Sequence, residues 1–291
     1  MLHIRLAQPA PGLRQFVRYY TQREIKISGP PVIHPVTARA VPMIEFDFGD
    51  SFDVLHRNRQ YAPKKSWTVT VVGPQTHRRH DLQLRGALEH FAIMFQPDGL
   101  MQLFSLPMCE LIDQDYEGHA VLGAFISQIH QRLGECNSFE ERASFVDELL
   151  LRRSLNSPGY DGISAAASRI LLGGGRFAIA TLADSAGLSM RQFERKFVER
   201  VGMRPKLFAR IARFEAALDG KARFSAKSWT EVANQFGYYD QMHMVHDFGE
   251  FTGETPTETL NHLEAVFEDR LSATRSAGLS PDDDANSRVF F

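Results

Sequence analysis

One small pattern occurs twice between residues 181 and 260, about fifty residues apart. The first copy has Ala183 and Gly187, then Phe193, Phe197, Gly202 and Pro205. The second has Ala233 and Gly237, then Met244, Phe248, Gly253 and Pro256. The intervals agree, apart from one extra residue after the second copy's first glycine. A short helix, a tight turn, a second helix and a Gly-x-x-Pro stop outline a helix-turn-helix. Two in one chain point to a protein that reads DNA over two stretches of groove.

Charge separates the copies. The chain of 291 residues has a net charge of −2, which does not by itself mark a nucleic-acid binder. From 163 to 227 it holds 13 Lys/Arg against 5 Asp/Glu, a balance of +8. From 228 to 270 it holds 1 against 9, a balance of −8. Only the first copy carries a DNA-compatible charge.

The rest of the chain bounds the architecture. Residues 13–96 contain short β-branched or aromatic runs at 31–36, 41–48, 67–72 and 88–95, separated by Gly, Pro and Asp. These predict a β-rich barrel or sandwich of antiparallel strands, cupin-like in outline. Helical patterns follow at 98–104, 120–133 and 138–151, the last opening on Ser138 and Glu141 as a capping box. The fold class expected is α+β: a β-rich domain with helices over 1–155, a linker at 156–162, a helical domain at 163–271 and a disordered tail at 272–291.

The helical domain reads as seven helices. One covers 164–172 and stops at Gly173 to Gly175. Thr181 caps the next, and Ser189 with Gln192 the third. Pro205 opens a long helix to Leu218, closed by Gly220. Ser228 with Glu231 caps the fifth, Asp240 the sixth, and Thr255 and Pro256 start the seventh. The long helix spans about 20 Å at 1.5 Å per residue and suits a spacer between two recognition helices.

Phe193 and Phe197, four apart, share the buried face of the first recognition helix. Arg191, Gln192, Glu194 and Arg195 then face outward, where Arg and Gln side chains can make bidentate contacts with guanine and adenine edges. The matching positions of the second copy are Gln241, Met242, Val245 and His246. Arg204, Lys206, Arg210 and Arg213 are candidates for phosphate contact, which gives affinity without sequence preference.

At these residues the chain resembles the AraC/XylS family of bacterial transcription regulators. The string from Gly237 through Tyr238, Tyr239, Asp240, Gln241 and Met242 to His243 closely resembles that family's C-terminal signature. Phe248, Phe251, Thr252, Gly253, Thr255 and Pro256 continue it. The resemblance covers about a hundred residues. It implies a seven-helix DNA-binding domain whose partners are double-stranded DNA and RNA polymerase, usually in an activator. The family generally has Arg where this chain has His246, a basic residue where it has Gly249, and Tyr-Arg where it has Thr259 and Leu260. The first two departures remove positive charge from the second recognition helix. Residues 91–100 are similar, less closely, to the β-rich regulatory domains attached to some members.

The expected function is therefore sequence-specific transcription regulation, controlled by a small-molecule effector or by self-association as a homodimer. One alternative is a ligand-independent dimeric regulator. Another is a metal-dependent cupin-like enzyme, prompted by His34, His77, His80 and His90; His77 and His80 lack a carboxylate at familiar spacing, so no metal is expected. No cofactor or enzymatic activity is expected, since Gly173 to Gly175 lack the Lys-Ser/Thr of a phosphate loop and no nucleophile motif is present. Arg78 and Arg79 read as part of a solvated hairpin. Cys109 and Cys136 are too few for a disulfide framework and read as buried, inert thiols. No secretory signal or apolar run of about 20 residues is visible, so a cytoplasmic protein without membrane contact is expected.

Overall fold

The computed structural model describes residues 2–58 and 60–266. The expected tail at 272–291 and residues 267–271 lie outside the described residues. The first part of the chain forms one eight-stranded sheet from β1 (Leu2–Ala7), β2 (Val17–Pro35), β3 (Met43–Asp47), β4 (Asp53–His56), β5 (Lys64–Lys65), β6 (Val69–Val72), β7 (His80–Phe95) and β8 (Asp115–Glu117). Every pairing is antiparallel, in the order β1-β2-β7-β3-β6-β8, with β4 pairing both β7 and β5.

Period-two alternation gives this sheet two different faces. Ile44, Phe46, Phe91, Ile93 and Phe95 point into an apolar core. That core is completed by α1 (Gly99–Phe104), α2 (Met108–Leu111), α4 (Ala124–Gly134) and α5 (Phe139–Ser154), with α3 (Gly118–Leu122) between them. Met43, Glu45, His90, Ala92 and Met94, their alternates, line a cavity on the other face.

Two strands are much longer than the short runs expected. The strand β2 has 19 residues and β7 has 16, with register shifts between Val17 and Tyr19 and between Ile27 and Val32. Thr21 and Arg23 line the cavity, so β2 lacks the apolar alternation that marks a half-buried strand. Two smaller expectations also change. Glu141 reaches back to Asn137 N at 2.7 Å, not to Ser138, although Ser138 Oγ accepts from Glu141 N. Cys109 is exposed and Cys136 half-buried, so neither is a buried thiol.

Seven helices follow among the described residues, as expected: α6 (Gly162–Leu172), α7 (Ile179–Ser185), α8 (Met190–Val201), α9 (Pro205–Arg223), α10 (Trp229–Gln235), α11 (Gln241–Thr252) and α12 (Pro256–Val266). Asp161 caps α6 through Ile163 N and Ser164 N, so the helix begins inside the expected linker. Ala178, not Thr181, precedes α7. The helix α9 runs past Gly220 to Arg223. Gly220 is buried inside it because Phe236 lies where its Cβ would be, 2.3 Å from the nearest ring carbon. No helix among the described residues is long and apolar enough to cross a membrane.

The helical core takes in Tyr19, Ala38, Ala40, Val41 and Met94 from the β-rich part. Polar links reinforce the junction. Asp98, 1% exposed, accepts from Ser164 Oγ at 2.6 Å, Gln102 Nε2 at 2.9 Å and Arg200 Nη2 at 3.0 Å. Arg78 bonds Asp81 at 2.6 Å and pairs with Glu254, so it is a junction residue and not part of a solvated hairpin.

Close packing makes one glycine critical. Gly175, at φ +72°, would place a Cβ 1.9 Å from the Ala209 carbonyl oxygen of α9. Gly175→Ala should lower unfolding free energy by about 3 kcal/mol, since backbone atoms must move and a non-glycine residue is strained at that φ. Denaturant midpoints of the variant and parent measure this, and a change under about 0.5 kcal/mol would contradict the packing account.

Candidate nucleic-acid interface

The two helix-turn-helix units are α7–α8 and α10–α11. Gly187 and Gly237 turn the chain at φ +67° and +73°, values that glycine adopts without a Cβ penalty. Phe193 and Phe197 are fully buried, their rings 5.6 Å apart, and Phe197 meets Phe208 of α9 at 5.5 Å. In the second unit Phe248 packs against Phe214 at 4.8 Å and Trp229 at 5.5 Å. Such contacts fix the rotation of each recognition helix, and with it the side chains left outside.

On α8, Arg191, Gln192, Glu194, Arg195 and Lys196 are exposed, as are Met190 and Glu199. Arg195 Nη1 lies 3.9 Å from Glu199, an exposed pair worth little. Gln192 already works in a capping box: Ser189 N and Oγ donate to its Oε1 at 3.1 and 2.9 Å. Its amide NH₂ is therefore the part left to read a base. Arg204 and Lys206, at the start of α9, are exposed beside this helix end. Lys196 was not singled out from sequence, though it follows Arg195 on the same exposed helix.

The second unit differs. Gln241 Oε1 accepts from Thr230 Oγ1 at 2.6 Å, joining the two helices of the unit. Met242 is 71% exposed, while Val245 is half-buried. His246 is exposed with Nδ1 4.0 Å from Glu250. Asp240 caps α11 by accepting from His243 N at 2.7 Å. Tyr239, read from sequence as part of the signature but not as a contact, is 91% exposed beside this surface.

Two of the expected phosphate contacts have partners inside the domain. Arg210 Nη2 lies 2.7 Å from Asp247 and 2.5 Å from Glu250, so both its charge and its donors are spent inside the domain. Asp247 is fully buried, and Arg210 is the cation that compensates it. Hydrogen bonding from Arg210 holds the Glu250 carboxyl below its ordinary value despite desolvation. Arg213 donates to Gly175 O at 3.1 Å and lies 5.4 Å over the Tyr238 ring, so it ties α9 to the loop after α6. Sequence position gave no sign of either role, because the partners lie 37 or more residues away.

Histidine chemistry in the sheet is also rearranged. The potential ligand atoms of Glu45, Asp47 and His90 lie within 4.8 Å of one another. His90 Nδ1 is hydrogen-bonded to Asp47. Burial opposes the imidazolium, but this bond and the charges of Asp47 and Glu45 outweigh it and raise the His90 pKa. An ion pair in the cavity wall therefore accounts for these residues. Sequence reasoning considered His34, His77, His80 and His90 but missed the carboxylates beside His90, which come from β3, about 45 residues upstream.

A DNA-binding regulator with a helix-turn-helix reading domain is the class that fold and surface define. Residues 182–262 match the family of helix-turn-helix domains, and residues 5–117 match a family described as a domain of unknown function (DUF6597). The helix-turn-helix domain is of the AraC/XylS type, in agreement with the motif residues above. No curated protein sequence matches the chain significantly. Among solved structures, ToxT from Vibrio cholerae is similar at 12% identity with TM-score 0.47, covering 85% of this chain and 99% of that one. A second crystal form of ToxT from the same organism gives 10% identity and TM-score 0.46, covering 90% and 98%. ToxT with a bound unsaturated fatty acid gives 12% and 0.45, covering 91% and 96%. Nothing about ligand or activity follows from similarity of this degree.

The structural role of Arg210 is testable. Arg210→Met should cost about 3–5 kcal/mol of stability, because it leaves the Asp247 carboxylate buried without its cation. At a temperature where the variant remains folded, its affinity for random-sequence DNA should stay within about twofold of the parent. A stable variant with a reduced salt slope of DNA binding would return Arg210 to phosphate contact.

Proposed function

We propose that the chain is a sequence-specific transcription regulator whose first helix-turn-helix holds and reads DNA, while the second tunes the site. The supporting observation is the outer face of α8, where exposed Arg191, Gln192, Glu194, Arg195 and Lys196 stand on a helix locked by Phe193 and Phe197. Base contact falls to Arg191, Gln192, Glu194 and Arg195, and phosphate contact to Arg204 and Lys206. Met242 and Val245 can meet a thymine methyl, Gln241 an adenine and His246 a phosphate, so the second unit adds a smaller share of the energy. Activation through RNA polymerase is the mode of regulation this reading favours. Its units are the β-rich part to about residue 155, a connection at 156–162 and the reading domain from 163 onward.

The β-rich part serves as the sensor. A cavity of about 130 Å³ lies on the inner face of the sheet, and Leu263 of the reading domain also lines it. A lined cavity at the domain junction supports control by a small-molecule effector over ligand-independent dimerisation, which would need no internal space. A ligand there shifts the balance between DNA-competent and incompetent arrangements by its differential affinity for them. The cupin-like enzyme reading has the Glu45–Asp47–His90 group in its favour. Stoichiometric metal in elemental analysis of the purified protein would support that reading.

Two measurements test the regulator. Arg195→Ala should weaken specific binding by about 1–3 kcal/mol, and His246→Ala clearly less. The reverse order would overturn the asymmetric arrangement. Footprinting on the chain's own promoter region should show strong protection of one groove segment and weaker protection of the next.

A further inference from the structure

The second reading unit has no strong cations of its own. Residues 228–266 contain no Lys or Arg and 7 Asp/Glu. Arg210, which reaches this unit from α9, is held by Asp247 and Glu250. A recognition helix lying in a groove brings its C-terminal end close to the sugar-phosphate backbone. At that end of α11, positive charge has to come from another part of the chain.

The β-rich part supplies it. Residues 53–85 hold 7 Lys/Arg against 2 Asp/Glu, a balance of +5, with Arg59 outside the described residues. Pairing of β4 with both β5 and β7 gathers the others at one edge of the sheet. Arg57 follows β4, Lys64 and Lys65 form β5, and Arg78 and Arg79 precede β7. Arg57 N donates to Arg79 O at 2.9 Å, which joins the two segments. The Arg57 guanidinium lies against Gly253, the C-cap of α11: a Cβ there would stand 3.5 Å from Nη2 and 3.6 Å from Nη1. A cation in this place faces the negative end of the helix dipole, which favours it without consuming its donors.

The carboxylates around this edge are engaged elsewhere. Asp81 and Glu254 both bond Arg78, and Glu254 also meets His262 at 2.9 Å. Asp53 pairs with Lys65 at 2.8 Å and lies 3.9 Å from Arg85. Asp115 accepts from Gln75 Nε2 at 3.0 Å and lies 3.5 Å from His80. Arg57, Lys64 and Arg79 form no ion pair with a carboxylate among the described residues. Arg57 is exposed, Arg79 half-buried, and Lys64 Nζ stands 4.0 Å over the Trp67 ring. Burial lowers the His56 pKa, and the charges of Lys64 and Arg79 lower it further against the pull of Asp115. Positive potential is thus concentrated where the sheet edge meets the end of α11.

We propose that this sheet edge, through Arg57 and Arg79, contacts the DNA backbone beside the second recognition helix, so that the β-rich part and the reading domain grip one duplex together. The proposal rests on the DNA-reading function above and adds a contact surface outside both helix-turn-helix units. Duplex DNA is the partner that fits, because the basic edge continues from the end of a helix placed to lie in a groove. Arginine forks match phosphate oxygens, and such contacts add affinity without sequence preference.

Salt titrations of the full chain on two duplexes, its own promoter region and a random sequence, test this. Arg57→Gln and Arg79→Gln should each lower the slope of log affinity against log salt by about 1, and the double variant by about 2. Affinity should fall by at least about threefold and by a similar factor on both duplexes. Arg57→Lys should keep the parent slope, since the charge remains. Arg5→Gln, on β1, should also keep it; an equal loss there would reduce the effect to net charge and overturn the proposal. If Arg57→Gln does not fold, Arg79→Gln decides alone. Variants that bind promoter DNA with the parent's slope overturn the proposal and leave the regulator reading intact. A parent chain that binds neither duplex overturns both.

Discussion

A carboxylate that is 1% exposed must find donors or give up its charge, and Asp98 finds three of them on three helices. Gln102 comes from α1, Ser164 from α6 and Arg200 from the last turn of α8. The sheet's helical cover, the first helix of the reading domain and the first recognition helix thus meet at one atom, Asp98 Oδ2. Arg200 also reaches Asp161, the cap of α6, at 3.2 Å. The position of α8 is therefore set from two directions: by the phenylalanine pair beneath it and by this charge at its end.

Close approach at the same seam adds a steric constraint. A Cβ on Gly202, just past α8, would stand 2.6 Å from the Met108 carbonyl oxygen of α2. The first reading unit is thereby seated against the β-rich part, while the second touches it through the Arg78–Glu254 pair and residues 37–41. The second unit's contact through residues 37–41 reaches the cavity wall, which Thr37 and Arg39 line.

Local rules made the reading domain legible. Caps at Ser189, Ser228 and Asp240, turns at Gly187 and Gly237, and i,i+4 aromatic pairs are all written within a few residues of where they act. The sheet was less legible because part of β2 and β7 faces a cavity rather than a packed core, so Thr21, Arg23, Glu45 and His90 interrupt the apolar alternation. Arg210 and Arg213 show why the candidate interface was harder still. A basic residue on a long helix reads as a phosphate contact until Asp247 or the Gly175 carbonyl arrives from elsewhere in the fold. Gly220 misled for the same reason, since the Phe236 ring that requires it belongs to a helix end sixteen residues on.

Residues 37–41 divide their labour by alternation. The side chain that meets the cavity is Arg39, whereas the links to the helices run through the backbone amides of Ala38 and Ala40. Backbone donors are the same for every residue except proline, so replacing Arg39 alters the cavity wall while leaving the helix-facing hydrogen bonds chemically available. Contact with the cavity and attachment to the helices are thus divided among neighbouring residues. A change of side chain at position 39 can therefore reshape the cavity wall without removing the backbone hydrogen bonds that fasten residues 37–41 to the helices.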